Sequence, residues 1–132
     1  MAKALGVGGV FFRAGDNEKT AAWYQEHLGF EMHPQWGASF PPDQLPEGAM
    51  TVFSAFAPDT KYFDPSESPF MVNLIVDDIE GALAQVKAGG ATQVDEIVDE
   101  SYGRFAWFLD PEGRKIELWE PKVPPPEAAE GG

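Results

Sequence analysis

The residues able to do chemistry in this chain are few, and their types narrow the options. Cysteine is absent, which removes disulfides, thiolate nucleophiles and cysteine-bound zinc. Histidine occurs twice. His27 falls near the end of a predicted helix, where an imidazole meets the negative end of the helix dipole at the surface. His33 falls on a short predicted strand, and two readings stay open for it: a backbone-bonded side chain or a ligand. Asn73 stands among Val72, Leu74 and Ile75, so its amide must find hydrogen-bond partners if that strand is buried. Arg13 and Glu117 fall on the first and last predicted strands; they are candidates for an anion-binding arginine and a general base, or for a structural ion pair. Trp36, Tyr102 and Trp107 can supply stacking walls.

The elements that must position these residues are written twice. Residues 7–14 read as a strand ending at Gly15-Asp16. Asp16 is a suitable cap for the helix that follows, with Glu18 near the positive end of its dipole. Ala21, Tyr24 and Leu28 share one face of that helix, and Gly29 stops it. Residues 70–77 read as a second strand running into Asp78, another cap. Ile79, Ala82, Leu83 and Val86 form a helical stripe ending at Gly89-Gly90. The two units are offset by about 62 residues, an internal repeat.

The match continues past each helix. Strands are predicted at 30–32 and 92–94, then after Trp36-Gly37 and after Tyr102-Gly103. Pro46-Glu47-Gly48 precedes a strand over 51–56, as Asp110-Pro111-Glu112-Gly113 precedes one at 115–119. Such Pro-Glu-Gly runs are turn signals, with proline preset for the first corner and glycine free to close it. Each half therefore reads strand, helix, strand, strand, strand. Residues 1–121 are read as one domain, with module one at about 5–57, a linker at 58–69 and module two at about 70–121. The linker holds three prolines, with Tyr62 and Phe63 expected to dock. Residues 122–132, rich in Pro, Glu, Ala and Gly, read as a flexible tail.

At 132 residues, with 43% hydrophobic and 13% aromatic side chains, the chain can bury one core. Nine basic against 22 acidic residues give a net charge of −13. That balance repels phosphate backbones and argues against a nucleic-acid partner. No apolar run approaches the roughly 20 residues that span a bilayer, and Met1 to Gly6 is not followed by an apolar core of signal-peptide length. A cytoplasmic protein without a membrane partner is expected.

The doubled βαβββ plan, with Val76-Asp77-Asp78-Ile79, Tyr102-Gly103-Arg104, Asp110-Pro111-Glu112-Gly113 and Ile116-Glu117-Leu118-Trp119-Glu120, resembles the vicinal oxygen chelate superfamily. That group includes glyoxalase I, extradiol dioxygenases, methylmalonyl-CoA epimerase, fosfomycin-resistance enzymes and bleomycin-resistance proteins. The resemblance covers residues 5–121 and implies an α+β fold in which two βαβββ modules form a cupped mixed sheet. It also implies a divalent metal held by His or Gln on the first strand and Glu on the last strand of each module. Here the first position falls on Gly9 and its counterpart on Met71, a poor ligand for hard ions. The fourth-strand position falls near Val52, Phe53 or Ser54, and residues 49–57 hold no His, Asp or Glu. Only Glu117 remains, and even with His33 a metal would be short of protein ligands. Neither a metal nor another cofactor is expected.

If Gly9, Met71 and Glu117 face the cup, strand alternation adds Phe11, Arg13, Asn73, Ile75, Lys115 and Trp119. With Trp107 as a wall, this is the apolar lining with a few polar handles that suits a small organic ligand. The competing reading makes Phe11, Ile75 and Trp107 plain core, and Arg13 with Glu117 a structural pair. The resemblance thus implies metal-independent binding of a small organic molecule, similar to bleomycin-resistance sequestration. The alternatives are a metal-dependent lyase, isomerase or dioxygenase using Glu117, or a module acting through its surface. A homodimer is expected from the family.

Overall fold

The structure is a computed structural model that describes residues 2, 3, 5, 7–35 and 37–122. Its first helix, α1 (Asn17–Leu28), starts where Asp16 accepts a hydrogen bond from the Lys19 N–H at 3.0 Å. It stops at Gly29, which takes the left-handed φ of 69° that a residue without Cβ adopts freely. Two-residue strands follow, β1 (Met32–His33) and β2 (Gly37–Ala38), paired antiparallel. A single 3-10 turn spans Pro42–Gln44.

The second half holds the sheet. β3 (Val72–Ile75) leads through Asp78, which caps Gly81 N–H at 3.1 Å, into α2 (Ile79–Ala88). β4 (Thr92–Glu100), β5 (Gly103–Leu109) and β6 (Lys115–Pro121) complete a four-stranded mixed sheet in the order β3-β6-β5-β4. β3 runs parallel to β6, and the other pairings are antiparallel. The β5–β6 hairpin closes through the Gly113 N–H to Asp110 carbonyl bond at 2.9 Å, with Gly113 at φ 84°.

Alternation sorts the sheet into two faces. Ala106, Phe108, Ile116 and Leu118 are buried against Ile79, Ala82, Leu83 and Val86 of α2 and Tyr24 of α1, with Val72 and Leu74 packed beside them. All four members of the α2 stripe are buried, whereas on α1 only Tyr24 is, with Ala21 and Leu28 half-buried. Polar contacts lock α1 to the second half. Tyr24 donates to Asp110 at 2.9 Å, and the Trp23 indole to Gly89 O at 2.8 Å. Burial, reinforced by Asp110, pushes the Tyr24 phenol well above its ordinary value.

The first half departs from the expected module. Residues 7–14 and 51–56 form no strand, so the structure contains one clear βαβββ unit, β3-α2-β4-β5-β6, in an α+β fold with a mixed sheet. The reason is non-local. A strand is held by a ladder to a neighbour, and these segments have none among the described residues, where Phe11 and Phe53 stay 92% and 89% exposed. Lys122 still bonds Tyr102 O, while the rest of the expected tail, 123–132, lies outside the described residues. Among the described residues no helix is long and apolar enough to cross a membrane.

Candidate functional site

The sheet face turned away from the helices carries one cross-strand row of chemical interest. Asn73 of β3, Glu117 of β6, Trp107 of β5 and Val94 of β4 are aligned in register. The Glu117 carboxylate, 8% exposed, sits at the centre of this row. A buried carboxylate must have its lone pairs occupied, and here neutral donors do so. Asn73 Nδ2 donates to Oε1 at 2.7 Å and Trp107 Nε1 to Oε2 at 2.8 Å. The Tyr62 hydroxyl donates to the same Oε2.

Tyr62 is the residue that strand reasoning left unassigned. It belongs to the segment joining the two halves, whose single Tyr-Phe pair among prolines was the only signal that it docks. Its ring stands edge-on to Trp107 at 6.2 Å and stacks on Phe56 at 5.5 Å. Burial raises its phenol above the ordinary value, and the bond to Glu117 adds to this, so the hydroxyl stays protonated as a donor. Lys115, buried on the neighbouring row, donates from Nζ to Tyr62 O at 2.6 Å. The same ammonium lies 5.2 Å from the Tyr62 ring centroid and 5.8 Å from that of Trp107.

The next row pairs Ile75 with Trp119 and Trp119 with Phe105. Trp119 lies parallel to Phe105 at 6.2 Å and donates from Nε1 to Tyr102 O at 3.2 Å. Beside these rows an open groove of about 650 Å³ runs between β4 and the joining segment, lined by Tyr62, Val94, Val98, Trp107 and Lys115. Its size lies within the ~300–1,000 Å³ of ligand pockets.

Of the residues singled out in the sequence, Asn73, Trp107 and Glu117 come into direct contact, with Ile75 and Trp119 on the adjoining row. Phe11 and Arg13 do not join them. Both are exposed, and the Arg13 carbonyl accepts from Arg114 at 3.2 Å. No Arg13–Glu117 ion pair forms among the described residues. His27 flanks Trp23 at 5.1 Å, and His33 is exposed with Nδ1 accepting from the Gln35 N–H. Trp36 lies outside the described residues.

The donor set does not fit the superfamily's metal. Glu117 spends both oxygens on Asn73, Trp107 and Tyr62, and the described residues contain no group of three or more His, Asp or Glu able to hold an ion.

Comparison with known proteins agrees with the architecture. A hypothetical protein from S. aureus superposes with a TM-score of 0.53 at 19% identity, covering 86% of this chain and 94% of that one. The oxidase ChaP-H2 superposes at 0.52 and 22% identity, covering 83% and 88%. Both show the fold. The glutathione transferase FosA of Serratia marcescens is 26% identical over 106 residues, 78% of this chain and 72% of that protein. The sequence matches the profile described as glyoxalase-like domain across residues 9–119, and the chain belongs to that family.

Proposed function

We propose that this protein binds a small organic molecule on the aromatic face of its sheet without a metal ion, in the manner of bleomycin-resistance sequestration. One observation carries the reading. At the position where the superfamily keeps a metal-binding carboxylate, Glu117 is instead saturated by neutral hydrogen-bond donors and flanked by aromatic rings. Such a centre presents flat aromatic surface, and it accepts a ligand's donor only in exchange for one already bound. The ligand contacts are Asn73, Ile75, Trp107, Glu117 and Trp119. Phe11 and Arg13 join them once residues 7–14 fold over the face.

The full architecture belongs to the same reading: residues 1–121 as one cytoplasmic domain, with the 58–69 linker between two modules that share a cup. The exposed Phe11 and Phe53 favour completion of that cup in a homodimer, because large apolar side chains in water mark an interaction surface. Metal analysis and ligand titration test the binding reading. Protein purified without chelator should hold far less than one divalent ion per chain. Planar aromatic compounds should bind equally well in EDTA. Stoichiometric metal, or binding abolished by EDTA, would sink it.

The likeness to an enzyme, a glutathione transferase, favours a second, enzymatic reading; its form from the sequence is a lyase, isomerase or dioxygenase with Glu117 as base, and it needs metal ligands that the described residues do not supply. A turnover that needs added divalent ion and disappears in Glu117→Gln would select it.

A further inference from the structure

Tyr62 lies in a segment without helix or strand, yet its side chain is docked on the sheet face by a hydrogen bond and two ring contacts. The hydroxyl shares Glu117 Oε2 with the Trp107 indole. The ring is bounded by Trp107 edge-on, by Phe56 in a stack and by the Lys115 ammonium. An acceptor, two aromatic walls and a cation near the ring together define a seat for a hydroxyl on an aromatic ring. The floor of this seat comes from rigid strands, whereas its occupant comes from a loop and is 40% exposed. The groove beside it is lined by Tyr62, Trp107 and Lys115 but not by Glu117. The Tyr62 side chain therefore borders the open volume while its hydroxyl reaches the carboxylate.

We propose that this seat is a binding subsite for a phenol, and that Tyr62 is the chain's own stand-in for it. This rests on the sheet-face reading above and names the ligand class. An incoming phenol takes over the bond to Glu117 while the Tyr62 side chain moves out toward the groove. One phenol–carboxylate bond replaces another, so the exchange is close to balanced in hydrogen bonding. The apparent affinity is then reduced by the fraction of time the seat is vacant. An aryl ether of the same shape cannot donate, and it leaves the carboxylate short of a partner.

Binding of 2-naphthol and 2-methoxynaphthalene to the full chain tests this, by calorimetry together with the indole N–H resonance of Trp107. The expected result is that Tyr62→Ala binds 2-naphthol at least about tenfold more tightly than the unaltered protein. It should also prefer 2-naphthol to the methyl ether by a similar factor and shift the Trp107 resonance. Tyr62→Phe keeps the ring against Phe56 and Trp107 while removing the competing hydroxyl. It should show the same preference with a smaller gain, and it decides the matter if Tyr62→Ala fails to fold. Equal binding of the two compounds, or 2-naphthol affinity unchanged by both substitutions, overturns the phenol seat and leaves sheet-face binding standing. Failure of every variant to bind either compound overturns both.

Discussion

Two side chains show how a single polar group is made tolerable in this interior. Glu117 is held by three neutral donors, so replacing one of its oxygens with an amide nitrogen sets donor against donor. Glu117→Gln is expected to destabilise the fold by about 1–3 kcal/mol, the cost of an unsatisfied buried donor. The urea midpoint measures it, and an unchanged midpoint would show that the network is dispensable. Tyr24 is the second case. Its hydroxyl donates to Asp110, which also receives the Arg114 Nη1 at 3.1 Å and two backbone N–H groups. Tyr24→Phe removes one bond to a charged acceptor that keeps its others, so a loss of about 1.5 kcal/mol is expected in the same measurement.

At the level of elements, β5 begins where Gly103 approaches Trp119. A Cβ on Gly103 would meet Trp119 Nε1 at 2.2 Å and Glu120 O at 2.8 Å, and the residue has φ 151°. Gly103→Ala must therefore displace either the indole or the β6 backbone. The expected cost is about 1–3 kcal/mol, as for other overpacked sites. Near-ultraviolet circular dichroism should also change as Trp119 leaves its parallel arrangement with Phe105. A thermal midpoint equal to that of the unaltered protein would contradict this. The opposite end of the hairpin carries Glu112, whose carboxylate accepts from Gly15 N–H at 2.8 Å, Asp16 N–H at 3.0 Å and Thr20 Oγ1 at 3.1 Å. One turn thereby holds the entry to α1.

For the molecule as a whole, that turn makes the junction of the two halves sensitive to acid. The Gly15 and Asp16 N–H groups, with Arg114, hold the Glu112 carboxyl down to about 2 from an ordinary 4.5. A carboxylate depressed in the folded state stabilises fully above its unfolded value and ceases to do so as pH falls through the folded one. Docking of α1 should thus weaken between about pH 4.5 and pH 2. The difference in thermal midpoint between the unaltered protein and Glu112→Gln should be constant above pH 5 and should shrink across that window. A difference independent of pH would place the stabilisation elsewhere. The same scale governs the exposed segments at 7–14 and 51–56. Under the homodimer reading, light scattering should give twice the chain mass, and Phe11→Asp should reduce it to one.

What the sequence determined by itself lies where the signals are local. Asp78, the stripe Ile79, Ala82, Leu83 and Val86, the glycine pair and the Asp-Pro-Glu-Gly turn act within a few residues. They recur in the structure as cap, buried helix face and hairpin. Alternation along β3 and β6 likewise put Asn73 and Glu117 on one face, because a strand's parity is fixed by its register, whereas the pairing of β5 with β6 is what set Trp107 beside Glu117. Tertiary structure alone decided the rest. Residues 7–14 and 51–56 read as strands from their place in the repeat, but a ladder needs a partner, and pairing is a property of the whole fold. Tyr62 lies in a segment without periodicity, so nothing near it in sequence indicates that its hydroxyl meets a carboxylate 55 residues away. Only the packing of that segment across the sheet made Glu117 a capped acceptor rather than an open one.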